Sequence, residues 1–237
     1  MKVIKENEVY QLAFMPRLFP INCYLVEEEY YITIVDTGMP FCKNGIIKTA
    51  ESIGKPIQKI VLTHAHSDHV GALDELKEQI PNAEVLLPKR EEKILAGDVS
   101  LEEGEGFKSI RGGIPKNVKT KPDTLLEDGD RIGSLLAIHS PGHTPGMMSF
   151  LDTRSNTLIA GDAFQTKGGL AVSGDIRWSF PFPALATWDK DIAIRSAEKL
   201  LDYDPSVLMV GHGRMLHNPS NQIKEAIISA KNNRVSK

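Results

Sequence analysis

The chain has 237 residues, enough to bury one sizeable core without disulfides or a structural metal, so a single domain spanning 1–237 is expected. With 41% hydrophobic and 25% charged residues and a formal charge of −3, the composition excludes a disordered chain and gives no basic stripe for nucleic acid. No segment approaches the ~18 apolar residues of a membrane span, and Met1 to Glu8 carry charges where a secretory leader is apolar; the expectation is a cytoplasmic monomer or homodimer with no membrane partner.

In chain order, residues 9–14, 21–26 and 30–35 read as strands, with Glu27-Glu28-Glu29 as a solvated turn. Cys23 and Cys42 form no Cys-x-x-Cys pair and are expected to stay reduced and structural. Asp36-Thr37-Gly38 closes the third strand, Ile46, Ala50 and Ile53 share one helical face, and Gly54-Lys55-Pro56 stops that helix. Residues 57–62 form a buried strand running into Thr63-His64-Ala65-His66-Ser67-Asp68-His69, which holds three of the seven histidines. Val70, Leu73, Leu76 and Ile80 make a helical stripe for which Ser67 or Asp68 supplies the N-cap. A strand at 83–87 and a short polar helix at 89–96 follow. From 97 to 123 the pattern fails, and a lid, a binding loop or a disordered surface excursion are the alternatives.

From 124 strands return. Asp128-Gly129-Asp130 is a hairpin turn, and 135–139, 147–151 and 157–160 are strands. A polar and aromatic loop at 165–182 precedes a helix carrying Ile194, Ala197 and Leu201, a last buried strand at 207–210, and a final helix from about Ser220. Two β-rich runs, each followed by helices, predict an α/β protein built as a four-layer αββα sandwich. Asp36, the histidine cluster, His143, Asp162 and His212 each follow a predicted strand, so they can converge on one sheet edge.

Imidazole and carboxylate donors suit borderline divalent metals. Ser140-Pro141-Gly142-His143-Thr144-Pro145-Gly146 sets a histidine in a stiff turn, and Gly161-Asp162 and Gly211-His212-Gly213 share that design; a ligand held this way loses little freedom on binding metal. His139 and His217 are left over and are expected to pack or lie at the surface.

His64-x-His66-x-Asp68-His69, Gly142-His143, Gly161-Asp162 and Gly211-His212, in that order and with Asp36 in Val35-Asp36-Thr37-Gly38, resemble the metallo-β-lactamase superfamily over almost the whole chain. The resemblance implies an αββα sandwich with a metal site at one edge. It places His64, His66 and His143 on a first ion, Asp68, His69 and His212 on a second, and Asp162 as the bridge. Asp36 then accepts a ligand histidine's N–H. Two zinc ions per chain are implied, iron and manganese being other metals such donors suit. Two ions ~3.5–4 Å apart share a hydroxide and bring the pKa of bound water toward ~7. Asp68 and Asp162 are the carboxylates expected to act in catalysis.

The expected reaction is hydrolysis of a carboxylic ester, thioester or lactone in a small-molecule substrate. The Gly-His-Thr-Pro-Gly turn is similar to that of glyoxalase II-like members, although one helix follows Gly213 where those carry a helical substrate domain. Acyl-homoserine lactonases resemble the chain too, but have tyrosine three residues after the bridging aspartate where this chain has Gln165. A mononuclear iron enzyme similar to persulfide dioxygenases is the alternative, and a phosphodiesterase of the RNA-processing kind is third. Substrate contacts are expected from Phe164, Arg177, Trp178, Phe180 and Phe182, whose aromatic walls and positive charge suit an acyl group near a carboxylate or phosphate.

Overall fold

A computed structural model describes residues 1–235. It separates into two compact units, one made of 1–98 and 113–127, the other of 99–112 and the chain from Asp128 onward.

The first unit is built on seven strands in sequence order: β1 (Lys2–Glu6), β2 (Val9–Phe14), β3 (Ile21–Glu27), β4 (Ile32–Val35), β5 (Ile57–Val61), β6 (Glu84–Pro88) and β7 (Thr124–Leu126). β1 to β4 pair antiparallel, as short turns allow, whereas β4 to β7 are parallel and need crossovers. The three crossovers carry α1 (Lys43–Ile53), α2 (Ser67–Val70) with α3 (Leu73–Gln79), and α4 (Glu91–Leu95). Buried on both faces, β3 and β4 read as near-continuous apolar runs, Ile21 to Val26 and Ile32 to Val35. The edge strand β1 was not foreseen, because only Val3 and Ile4 are apolar among Lys2, Lys5 and Glu6; charges of this kind protect a sheet edge.

The second unit has a six-stranded sheet in the order β15-β14-β11-β10-β9-β8, from β8 (Arg131–Ile132), β9 (Leu135–His139), β10 (Met148–Asp152), β11 (Thr157–Ile159), β14 (Val207–Met209) and β15 (Leu216–His217). β12 (Phe164–Gln165) and β13 (Ala171–Val172) form a small separate hairpin, followed by α5 (Phe182–Ala186), α6 (Lys190–Leu201) and α7 (Ser220–Val235). The core of this unit joins Leu158 and Leu208 of the sheet, and Val210 just after β14, to Ile194, Ala197 and Leu200 of α6 and Ile223 and Ile227 of α7. The strands and the two long helices follow the periodicity in the sequence. The hairpin, α5 and β15 do not, being too short to show a period, and they place His217 in a strand.

Residues 97–123 contain no helix or strand, as expected, but they are tied down at several points. The Lys108 carbonyl accepts from Trp188 Nε1 at 2.7 Å, and the Lys108 ammonium lies 2.8 Å from Asp189. The Gly113 carbonyl accepts from Ser67 N and Ser67 Oγ, both at 2.7 Å, and the Asp74 carboxylate accepts from the backbone of Lys119 and Thr120. A disordered excursion does not describe this segment. The same contact corrects the N-cap: Ser67 uses its hydroxyl on Gly113, and α2 begins after His66 with no side-chain cap.

Candidate functional site

The side chains of a kind that can hold a metal ion are His64, His66, Asp68 and His69 in the first unit, and His143, Asp162 and His212 in the second. His139 and His217 belong to no such group among the described residues.

In the first unit, parallel pairing sets the carboxyl ends of β4 and β5 side by side, which brings Asp36 next to Thr63. Asp36 takes a left-handed backbone at φ 60 that aspartate tolerates better than most residues. Its carboxylate gathers three donors: Thr63 N at 2.8 Å, Thr63 Oγ1 at 2.8 Å, and His69 Nδ1 at 2.8 Å. Because the Thr63 hydroxyl spends its hydrogen on Asp36, it accepts from His64 Nδ1, 3.0 Å away. Asp36 thus fixes two imidazoles, His69 directly and His64 through Thr63, and both carry their proton on Nδ1 and their lone pair on Nε2. His64 Nε2 lies 3.2 Å from His66 Nδ1, and the His64 ring centroid is 4.0 Å from that of His69. Three imidazoles this close and at most 2% exposed are costly as cations, and as neutral rings they suit a shared electrophile. The buried Glu91 carboxylate accepts from Ala65 N at 2.9 Å and holds the backbone between His64 and His66. Asp68 is half-buried on α2.

In the second unit, β9 and β11 are each antiparallel to β10, and β14 is parallel to β11, so β9, β11 and β14 run the same way. His143, Asp162 and His212 therefore all follow the carboxyl ends of codirectional strands. Asp162 Oδ2 lies 3.4 Å from His143 Nε2 and 3.2 Å from His212 Nε2. The His143 turn rests on the start of α6: Asp189 N donates to Gly142 O at 2.8 Å, and Trp188 N donates to His143 O at 3.0 Å. Asp189 also caps α6 by accepting from Asp191 N and Ile192 N. His143 Nδ1 meets Ser173 Oγ at 3.1 Å.

The residues expected to contact substrate are placed differently from one another. Phe164 is fully buried in the core of its unit, and Phe180 is 1% exposed with its ring centroid 5.5 Å from that of His212. Arg177 is tied to Asp175 Oδ2 at 2.8 Å and Leu170 O at 2.7 Å, whereas Trp178 and Phe182 are exposed. Thr63, Glu91, Ser173 and Thr187 were not singled out in the sequence. Thr63 had the signal of adjoining the histidine cluster; for the other three only the fold brings the partner near.

Donors of these types suit a divalent metal: imidazoles, of which His64 and His69 have their tautomer set by outward hydrogen bonds, with carboxylates among them. The family model described as the metallo-β-lactamase superfamily matches residues 16–212. The YobT protein of Bacillus subtilis (strain 168) is 55% identical over 231 residues, covering 98% of this chain and 99% of its own length. Hydroxyacylglutathione hydrolase GloC of Haemophilus influenzae is 28% identical, over 82% of this chain and 86% of its own. Among solved structures, DIM-1 metallo-β-lactamase superposes with a TM-score of 0.74 at 16% identity, covering 98% of this chain and 97% of that one. TTHA1623 in a di-iron-bound form gives 0.65 at 26% identity, covering 89% and 96%. The fold is that of the metallo-β-lactamases, and the chain belongs to the metallo-β-lactamase superfamily.

Proposed function

We propose that the chain is a zinc-dependent hydrolase in which His64, His66 and His143 hold one ion, Asp68, His69 and His212 hold a second, and Asp162 is shared, the two units acting as one hydrolase domain. The observation that carries the reading is the Asp162 carboxylate, one oxygen of which lies within 3.4 Å of the Nε2 atoms of both His143 and His212. Bound zinc would lower the pKa of a water toward ~7 and polarise a scissile carbonyl. The residues of the chain prepare that chemistry. Five neutral imidazoles and two carboxylates leave two dications undercompensated, which favours an electron-rich carbonyl and a developing oxyanion. Asp36 and Thr63 keep His69 and His64 in the tautomer that presents Nε2. Asp68 is the carboxylate assigned to orient the attacking water or carry its proton.

The substrate class we assign is a carboxylic ester, thioester or lactone, supported by the hydroxyacylglutathione hydrolase among the relatives. Elemental analysis of the purified chain should give about two zinc ions per chain, as a two-metal site requires, with turnover in a panel of esters, thioesters and lactones. A second reading is a mononuclear iron enzyme; that iron suits such a fold is supported by TTHA1623, which was solved in a di-iron-bound form. One iron per chain with thiol-dependent oxygen uptake would establish that reading against the first. Asp162→Ala should remove activity and at least one ion; full zinc content and full rate in that variant would overturn the shared role.

A further inference from the structure

The ring of His143 ends a chain of hydrogen bonds whose direction can be followed atom by atom. Thr187 Oγ1 has a single hydrogen and donates it to Pro183 O at 2.8 Å, since a carbonyl only accepts. Thr187 Oγ1 therefore meets Ser173 Oγ, 2.9 Å away, as an acceptor. That contact commits the one hydrogen of Ser173, so Ser173 Oγ accepts from His143 Nδ1 at 3.1 Å. The imidazole then carries its proton on Nδ1 and its lone pair on Nε2, the atom that faces Asp162. His143, Ser173 and Thr187 are all at most 5% exposed, so bulk water does not compete for these bonds.

The supporting segment is built for this. Ser173 directly follows β13 and is anchored by its N–H to Ala163 O at 2.9 Å; Thr187 closes α5; and the next residue, Trp188, holds the His143 carbonyl. Backbone and ring of His143 are thus fixed by one stretch of chain.

We propose that Ser173 and Thr187 are positioning residues that lock His143 in its metal-ligating tautomer, with the Pro183 carbonyl setting the direction of the relay. The inference rests on the reading of His143 as a metal ligand. It has an asymmetric consequence. Loss of the Ser173 hydroxyl removes the acceptor and loosens the ring. Loss of the Thr187 hydroxyl, although farther from the ring, releases the Ser173 hydrogen to donate to Nδ1, which moves the ring proton to Nε2 and blocks the ligating atom.

The test compares Ser173→Ala, Thr187→Val and Thr187→Ser in the full chain. In the zinc-free protein, 15N spectra of the imidazoles should report Nδ1–H for His143 in the wild type and in Thr187→Ser, and a growing Nε2–H population in Thr187→Val. In competition with a chromophoric chelator, Ser173→Ala and Thr187→Val should bind the weaker-held zinc ~10–100-fold less tightly, the range typical for loss of a partner behind a ligand. Thr187→Ser should stay close to wild type. A wild-type His143 already in the Nε2–H form overturns the proposal without any variant, which covers the case of a variant that does not fold. Wild-type tautomer and zinc affinity in Thr187→Val would overturn it as well. His143→Ala separates the two readings: if it weakens zinc binding while Thr187→Val does not, the relay fails and the metal reading stands. If His143→Ala leaves zinc binding unchanged, the metal reading fails.

Discussion

Replacing Gly142 by alanine tests how the His143 turn is held. Its backbone sits at φ +134, and a Cβ there would lie 2.4 Å from both Cα and N of Ala193 and 2.6 Å from its Cβ. The conformational term costs ~1–3 kcal/mol. Overlap with a helix backbone has no rotamer that relieves it, and overpacking costs a further ~1–3 kcal/mol. The total, about 2–6 kcal/mol, is a large part of an ordinary ~5–15 kcal/mol stability. Gly54→Ala is the control, because Gly54 has φ +80 at the end of α1 but open space around its Cβ, so it carries the conformational term alone. Urea denaturation of the zinc-free variants should show Gly142→Ala losing clearly more than Gly54→Ala. If the turn lifts away from α6 instead, the bonds from Asp189 N and Trp188 N are lost and the cost appears as weaker zinc binding. Equal destabilisation by both variants, with zinc affinity intact, would refute this account of the turn.

Asp36→Asn keeps the left-handed backbone that asparagine tolerates but turns an amide N–H toward one of the donors the carboxylate now satisfies. Zinc binding is expected to weaken ~10–100-fold, and wild-type affinity in a chelator competition would contradict the role given to Asp36. Lys55 at 2.8 Å, aided by Tyr10 and Lys5, holds the Glu27 carboxyl down at about 2. A depressed carboxyl stabilises the fold above its unfolded value of ~4.3 and loses that contribution as pH falls through its folded value. Lys55→Met should therefore unfold at higher pH in an acid titration and lose ~0.5–1 kcal/mol at pH 7, the pair being partly exposed. An unchanged acid midpoint would show that the network adds nothing. Cys23 and Cys42 are fully buried, and burial pushes the Cys23 thiol well above its usual range. Neither should react with an aromatic disulfide reagent until urea unfolds the chain, and rapid labelling of native protein would contradict the packing of β3 against α1's leading turn.

Which features were legible depended on length. β2, α1, α6 and α7 are long enough for a period to show, and the histidine cluster is legible because four donors fall within six residues. The three candidate positions outside it, His143, Asp162 and His212, stand in glycine-flanked turns, a signal that the backbone must be tight there. The hairpin of β12 and β13 spans two residues a strand and shows no period, yet it is what carries Ser173 to His143. Glu91 and Ala65 are similarly joined only after β5 and β6 pair. Phe164 is a different case: an aromatic beside the Asp162 loop suggests a substrate wall, and in the fold it is fully buried in the core of its unit and pairs with Val172 across the β12–β13 hairpin.

The bond between Trp188 and the His143 carbonyl also gives the chain an optical handle. There are two tryptophans: Trp188 is 5% exposed with its indole N–H on Lys108 O, and Trp178 is 88% exposed. Iodide should quench the emission of Trp178 and spare that of Trp188. The shielded, blue-shifted component that remains then comes from a residue bonded to the His143 turn, so if that turn takes up a metal as proposed, the change should be readable by fluorescence without a label.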